Sequence, residues 1–202
     1  MRVRCGKPRT PNDILGGMTR VSAAALFLSL LACGDGMPRV ALEDLDGARI
    51  PLLPVTGTGA SVFIFVAPEC PISNRYATEI ARLRDRFTRE GMKFWIVYPG
   101  SRASLDELRR HRADFFKDCA ALRDPERRLG APARIERIPE AAVFTPSGGL
   151  VYHGRIDDWF ADVHRRRPSP TRRDLEKALE AVSRGEAPPA SSGPAVGCPL
   201  PD

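Results

Sequence analysis

Phe63-Ile64-Phe65-Val66-Ala67-Pro68-Glu69-Cys70-Pro71-Ile72-Ser73-Asn74 decides how the chain is read. Its first half continues Ser61-Val62 as an unbroken run of β-branched and aromatic residues, the pattern of a strand buried on both faces. From Pro71 onward the apolar residues Ile72, Tyr76, Ile80, Leu83 and Phe87 recur at spacings of three and four, which predicts a helix over 71–91 stopped by Gly91. Cys70 therefore stands where a strand hands over to a helix. Unpaired N–H groups and the positive end of the helix dipole favour a thiolate there over a thiol. Pro71 at the first helical position loses no hydrogen bond and sets the turn. On these grounds alone a reactive thiol and a packed structural cysteine stand level.

Elements of both kinds continue outward from this junction. Val40–Pro51 alternates around Asp46-Gly47 and predicts a small hairpin, and Gly57–Gly59 a loop. Met92–Tyr98 is a second buried strand. Ser104 caps a helix to about Phe116, with Glu107 completing a capping box. Cys119–Leu122 is a short strand, followed by a helical turn over Pro125–Leu129. Ala141–Phe144 and Leu150–Tyr152 form a hairpin around Gly148-Gly149. Thr171 is expected to cap a last helix, Arg172–Arg184, and residues 186–202 read as an extended Pro- and Ser-rich tail. Strand, helix, strand and helix followed by a hairpin and a helix make an α/β three-layer unit over about 38–185, with a central mixed sheet and helices on both faces.

The 202 residues are 43% hydrophobic and 28% charged, which is globular composition. The net charge is +6, but residues 1–32 hold +4 of it, in Arg2, Arg4, Lys7, Arg9 and Arg20 against Asp13. The nearly neutral remainder gives no electrostatic case for nucleic-acid binding. Arg20 precedes an eleven-residue apolar run, Val21–Leu31, ending at Ala32-Cys33. A basic segment, a short apolar core and a small residue at the cut predict a cleaved signal over 1–32, whose compact start would be Met18. The cysteine directly after the cut resembles the lipobox of bacterial lipoproteins. That resemblance implies acylation of Cys33, a tether over 33–37, and a protein anchored facing the periplasm.

Ile138-Pro139 lies just before the second hairpin, about seventy residues after Cys70. With Cys70 it resembles the thioredoxin-like superfamily, in which a cysteine follows the first central strand and a cis-proline precedes the hairpin. Leu42–Gly47 and Leu150–Asp158 narrow the likeness to the redoxin branch, the alkyl hydroperoxide reductase/thiol-specific antioxidant family in the broad sense. The resemblance implies a thiol oxidoreductase with Cys70 as nucleophile, Pro139 as the cis-proline, and disulfide or thiol substrates, protein or small molecule. It needs no organic cofactor.

Two departures are informative. Where thioredoxins carry a second cysteine, this chain has Ser73, which cannot resolve a mixed disulfide but can donate a hydrogen bond to the Cys70 thiolate. Where peroxiredoxins carry a proline and an activating threonine, it has Phe63 and Ala67, which argues against a peroxidase. A copper-handling module of the same fold would need a second cysteine close by, and His111, His153 and His164 show no paired spacing for a metal. Among the other thiols, Cys5 falls in the removed leader and Cys119 reads as a small core residue. Cys198 sits in the tail within Gly197-Cys198-Pro199; twelve residues from Glu186 reach up to ~40 Å. It is therefore the candidate resolving thiol, its alternatives being an idle tail thiol or a permanent staple to Cys70. Asp157 and Asp158 point to opposite faces of an extended segment and suggest loop capping, and Arg165–Arg167 reads as a solvated basic run.

Overall fold

The computed structural model describes residues 41–51, 59–100 and 102–201. The predicted signal, the tether with Cys33, and most of the expected loop at 57–59 lie outside the described residues. The element order is β1 (Ala41–Asp44), β2 (Arg49–Pro51), β3 (Ser61–Phe65), α1 (Pro71–Arg75), α2 (Ala77–Phe87), β4 (Lys93–Pro99), α3 (Leu105–Phe115), β5 (Ala120–Asp124), β6 (Arg137–Ile138), β7 (Glu140–Phe144), β8 (Leu150–Gly154), α4 (Asp174–Ser183) and β9 (Cys198–Pro199).

Among the described residues, seven strands form one mixed sheet in the order β2-β1-β5-β4-β3-β7-β8. β3 pairs parallel with β4 and antiparallel with β7, so the sheet switches direction at its centre. Alternation along β3 divides the core. Val62 and Ile64 face one cluster with Ile80, Leu83 and Phe87 of α2 and Leu175, Ala178 and Leu179 of α4. Phe63 and Phe65 face the other, with Phe144, Leu122 and the turn residues Leu129, Ala133 and Ile135. A strand covered on both sides needs apolar residues at every position, which is why this segment carries no alternation. Truncating Phe65 to alanine is expected to cost about 3–5 kcal/mol.

The expected single helix over 71–91 is two. α1 ends at Tyr76, whose N–H is shared between the Ile72 and Ser73 carbonyls, and α2 starts afresh at Ala77 and ends at Phe87, four residues before Gly91. The break lets the Tyr76 hydroxyl reach out of the helix pair and donate to Asp157 Oδ1 at 2.6 Å. Tyr76 also packs edge-on against Trp159. The last helix is shorter than expected, running Asp174–Ser183 with Arg173 at its N-cap. Thr171 is not the cap because its hydroxyl donates to Asp158, which also accepts the N–H groups of Thr171 and Arg172. Asp158 is thus a loop-capping residue. Ser104 and Glu107 form the expected capping box on α3.

Candidate active site

Backbone turns alone bring Cys70 into position. After β3 the Val66 N–H still bonds to the Val97 carbonyl, and the Cys70 N–H then closes a turn onto Ala67 at 3.1 Å. Cys70 is the N-cap of α1, in extended conformation, and Pro71 begins the helix. The antiparallel register sets Phe65 opposite Glu140, so the residues just after β3 and just before β7 share one end of the sheet. That places the cis Ile138-Pro139 peptide against Cys70. The Cys70 Sγ–H donates to the Ile138 carbonyl at 3.3 Å, and the residue is 1% exposed.

The segment after α4 brings Cys198 to the same point. It is extended and lies along the domain as a strap. Its first anchor is Asp174, which accepts the Ser192 N–H at 2.8 Å and an Arg155 N–H at 2.8 Å; Arg155 in turn donates to the Ser192 hydroxyl. Arg155 is thereby placed on the strap rather than at the sulfur. Further along, Ala195 is buried, and Gly197 lies so close to β6 that a Cβ there would stand 1.9 Å from the Ile138 oxygen. β9 then pairs antiparallel with β6, Cys198 opposite Ile138 and Pro199 opposite Arg137. The Pro201 carbonyl accepts from the Arg127 guanidinium.

Under this strap Cys198 comes beside Cys70, and both are free thiols. Burial opposes a charge on Cys70. Hydrogen bonds from the Cys198 and Ser73 side chains and from the Ser73 and Cys198 backbone N–H groups outweigh it, and the Cys70 thiol is held below its ordinary value. Cys198 goes the other way. Burial, its bond to Cys70, the Cys70 charge and the nearby Glu69 carboxylate push it up to about 12. Glu69 itself is exposed, and its carboxylate helps to raise Cys198. Ser73 is 0% exposed, and its Oγ makes no hydrogen bond of good geometry. Beside the Cys70 sulfur it is an orphaned donor, and it works to lower the Cys70 thiol.

Cys70, Ser73, Pro139 and Cys198 therefore converge. Cys119 does not: it packs in the core, pushed up by burial, with an Arg84 N–H 3.5 Å from its sulfur. Phe63 and Ala67 are both buried among apolar residues and bring no hydroxyl to the thiol. Sequence reasoning missed one buried polar chain. Asn74 Oδ1 can only accept, so His111 Nε2 donates to it at 2.7 Å, and His111 Nδ1 accepts the Tyr98 hydroxyl at 2.9 Å. The chain ties α1 to α3 and β4. Its one sequence signal is His111 following Leu108 by three positions on the buried stripe of α3.

No protein-family model and no curated protein matches the chain. Solved structures do. An uncharacterized conserved protein from Geobacillus kaustophilus superposes with a TM-score of 0.71 at 21% identity, over 84% of this chain and 91% of that one. A hypothetical protein from Sinorhizobium meliloti 1021 gives 0.71 at 19%, over 83% and 92%. The thioredoxin domain of a thiol-disulfide oxidoreductase from Bacteroides vulgatus gives 0.50 at 15%, over 59% and 86%. The fold is thioredoxin-like.

Proposed function

We propose that the protein is an exported thiol-disulfide oxidoreductase in which Cys70 is the nucleophile and Cys198 the resolving thiol. The observation that carries this is the convergence of two free thiols at the Ile138-Pro139 turn, Cys70 donating to the Ile138 carbonyl and Cys198 paired opposite Ile138, with opposite displacements of the two thiols. The Cys70 thiolate attacks a substrate disulfide, forming a mixed disulfide and releasing one substrate sulfur as thiolate. Cys198, deprotonated, then attacks the Cys70 sulfur, expels the second substrate thiolate, and leaves a Cys70–Cys198 disulfide. The substrate gains the two electrons that the protein loses. The charge on Cys70 that raises Cys198 vanishes once Cys70 is in the mixed disulfide, so the resolving thiol becomes easier to ionise when it is needed. Cys70 must first be uncovered, so the strap lifts for this half of the cycle.

The sulfurs carry the electrons, and no organic cofactor enters the scheme. Export, a lipid on Cys33 and a periplasm-facing, membrane-anchored location are supported by the Arg20 to Cys33 segment of the sequence. There, protein or small-molecule disulfides and thiols are the partners. The thioredoxin-like fold supports disulfide exchange, and the apolar Phe63 and Ala67 favour it over peroxide reduction.

The test is a thiol map. Mild oxidation should remove two hydrogens and link Cys70 to Cys198, and in Cys198→Ser a glutathione adduct should accumulate on Cys70. Alkylation of Cys70 no faster than that of a cysteine in the unfolded chain, measured in reduced Gly197→Ala, where the added Cβ displaces the strap, would refute the proposal.

A further inference from the structure

We infer that the oxidised protein is opened by an incoming thiolate at the Cys198 sulfur, with Cys70 as the leaving sulfur, so that the strap and not the helix carries the resulting adduct. This rests on the Cys70–Cys198 couple proposed above. Displacement at sulfur runs in line: the attacking, attacked and leaving sulfurs approach a straight arrangement, so each end of a disulfide is reached from the side away from its partner.

For Cys70 that side is closed. The residue is 1% exposed and lies in the main core cluster with Ile72, Tyr76 and Ile138. Its sulfur is covered by the Ile138 carbonyl at 3.3 Å and by the fully buried Ser73. An attacking thiolate would have to pass through packed side chains. Cys198 is partly exposed, on the outer layer of the structure, and its neighbour Pro199 is exposed. The β6–β9 pairing holds it opposite Ile138, packed against the core yet still in part open to solvent, where Cys70 is closed. Gly197, pressed against the Ile138 oxygen, keeps the strap in a single register.

The leaving side is equally asymmetric. When the bond breaks, Cys70 departs as a thiolate into the place where the unpartnered, buried Ser73 hydroxyl and the Ser73 backbone N–H can donate to it. Electrons and atoms balance: the incoming thiolate and Cys198 share the new disulfide, Cys70 takes the electron pair, and a second thiolate later releases Cys198 by the same exchange. The fold thus separates two halves of a cycle. The oxidising substrate meets Cys70 with the strap lifted; the reducing thiol meets Cys198 with the strap seated.

The experiment uses the full chain, oxidised and mapped beforehand. It is rapidly mixed with reduced glutathione, quenched in acid within milliseconds to seconds, alkylated and read by peptide mass spectrometry. The expected result is glutathione on Cys198 and alkylation on Cys70, with the opposite pattern at least tenfold rarer. In Ser73→Ala the address should stay the same while opening slows several-fold, a kinetic change that a purely packing role for Ser73 would not produce. Glutathione predominantly on Cys70 would overturn the inference and leave the proposed couple standing. Failure of the oxidised protein to show a Cys70–Cys198 bond would overturn both.

Discussion

Gly197→Ala tests whether the strap is the cover over the nucleophile. Its backbone is one that alanine can adopt, so the perturbation is steric. The added Cβ would stand 1.9 Å from the Ile138 oxygen and 2.6 Å from its carbon. Ordinary contact begins near 3.4 Å, so the strap must retreat by about 1.5 Å. A backbone hydrogen bond stretched by that much is lost. Forfeiting the two-residue β6–β9 pairing, at ~1 kcal/mol net for each of about two bonds, shifts the seated strap toward the lifted one by ~2 kcal/mol. That is roughly 30-fold in population, at 1.4 kcal/mol for each factor of ten. The assay is iodoacetamide labelling of Cys70, followed peptide by peptide at about pH 9.5. At that pH the thiolate is abundant even after the Cys198 hydrogen bonds are lost, so the rate reports access. Labelling should accelerate by about one order of magnitude or more, with the far-ultraviolet circular dichroism unchanged. Equal rates in the variant and the parent, with the fold intact, would show that the strap does not shield Cys70.

Three further outcomes follow from the same geometry. In Cys198→Ala the Cys70 labelling midpoint should move upward in pH, because the side-chain donor that helps hold the charge is gone; an unchanged midpoint would separate the two sulfurs electrostatically. Ser73→Ala should raise that midpoint as well while leaving urea stability unchanged or better by up to ~1 kcal/mol, since it deletes a buried hydroxyl without a geometric partner; a loss of several kcal/mol would mean the hydroxyl has a structural bond. His111 is pushed down to about 4 by burial. A base depressed in the folded state contributes stability that is complete above its ordinary value near 6.5 and is lost as pH falls toward 4, here by about 3 kcal/mol at 1.36 kcal/mol per pH unit. Urea titrations at pH 7 and 4 should show that loss, and His111→Gln should flatten it; a slope that survives the substitution would assign it elsewhere.

What could be read ahead of the structure was local. The run Ser61–Val66, the cysteine after it and the proline after that state the strand, the junction and the helix start through propensity and spacing within a dozen residues. The capping box at Ser104 and Glu107 is likewise written in four. The length of the tail sufficed to say that Cys198 could reach Cys70. The cis-proline opposite Cys70 came from the likeness to the thioredoxin-like superfamily and not from the residues alone. The features that escaped are decided at a distance. Tyr76 breaks a helix that its own spacing would continue, because its hydroxyl finds Asp157 eighty-one positions away. Thr171 gives up a helix cap to Asp158, an acid thirteen residues earlier. The β6–β9 pairing joins residues some sixty apart and is two residues long, too short to leave a pattern. Gly197 beside Cys198 hinted at a close approach without saying to what.

The Asp174–Ser192 tie has a consequence for rates. If the outer part of the strap peels away while that tie holds, Cys198 swings on a leash of six residues, roughly 20 Å at full stretch. A sulfur confined to that radius around its pivot is present at tens of millimolar, by an order-of-magnitude count of one molecule in the swept volume. The returning thiol would then outcompete any dilute reductant for a mixed disulfide on Cys70, and Asp174, remote from the chemistry, would govern how long such an intermediate lives.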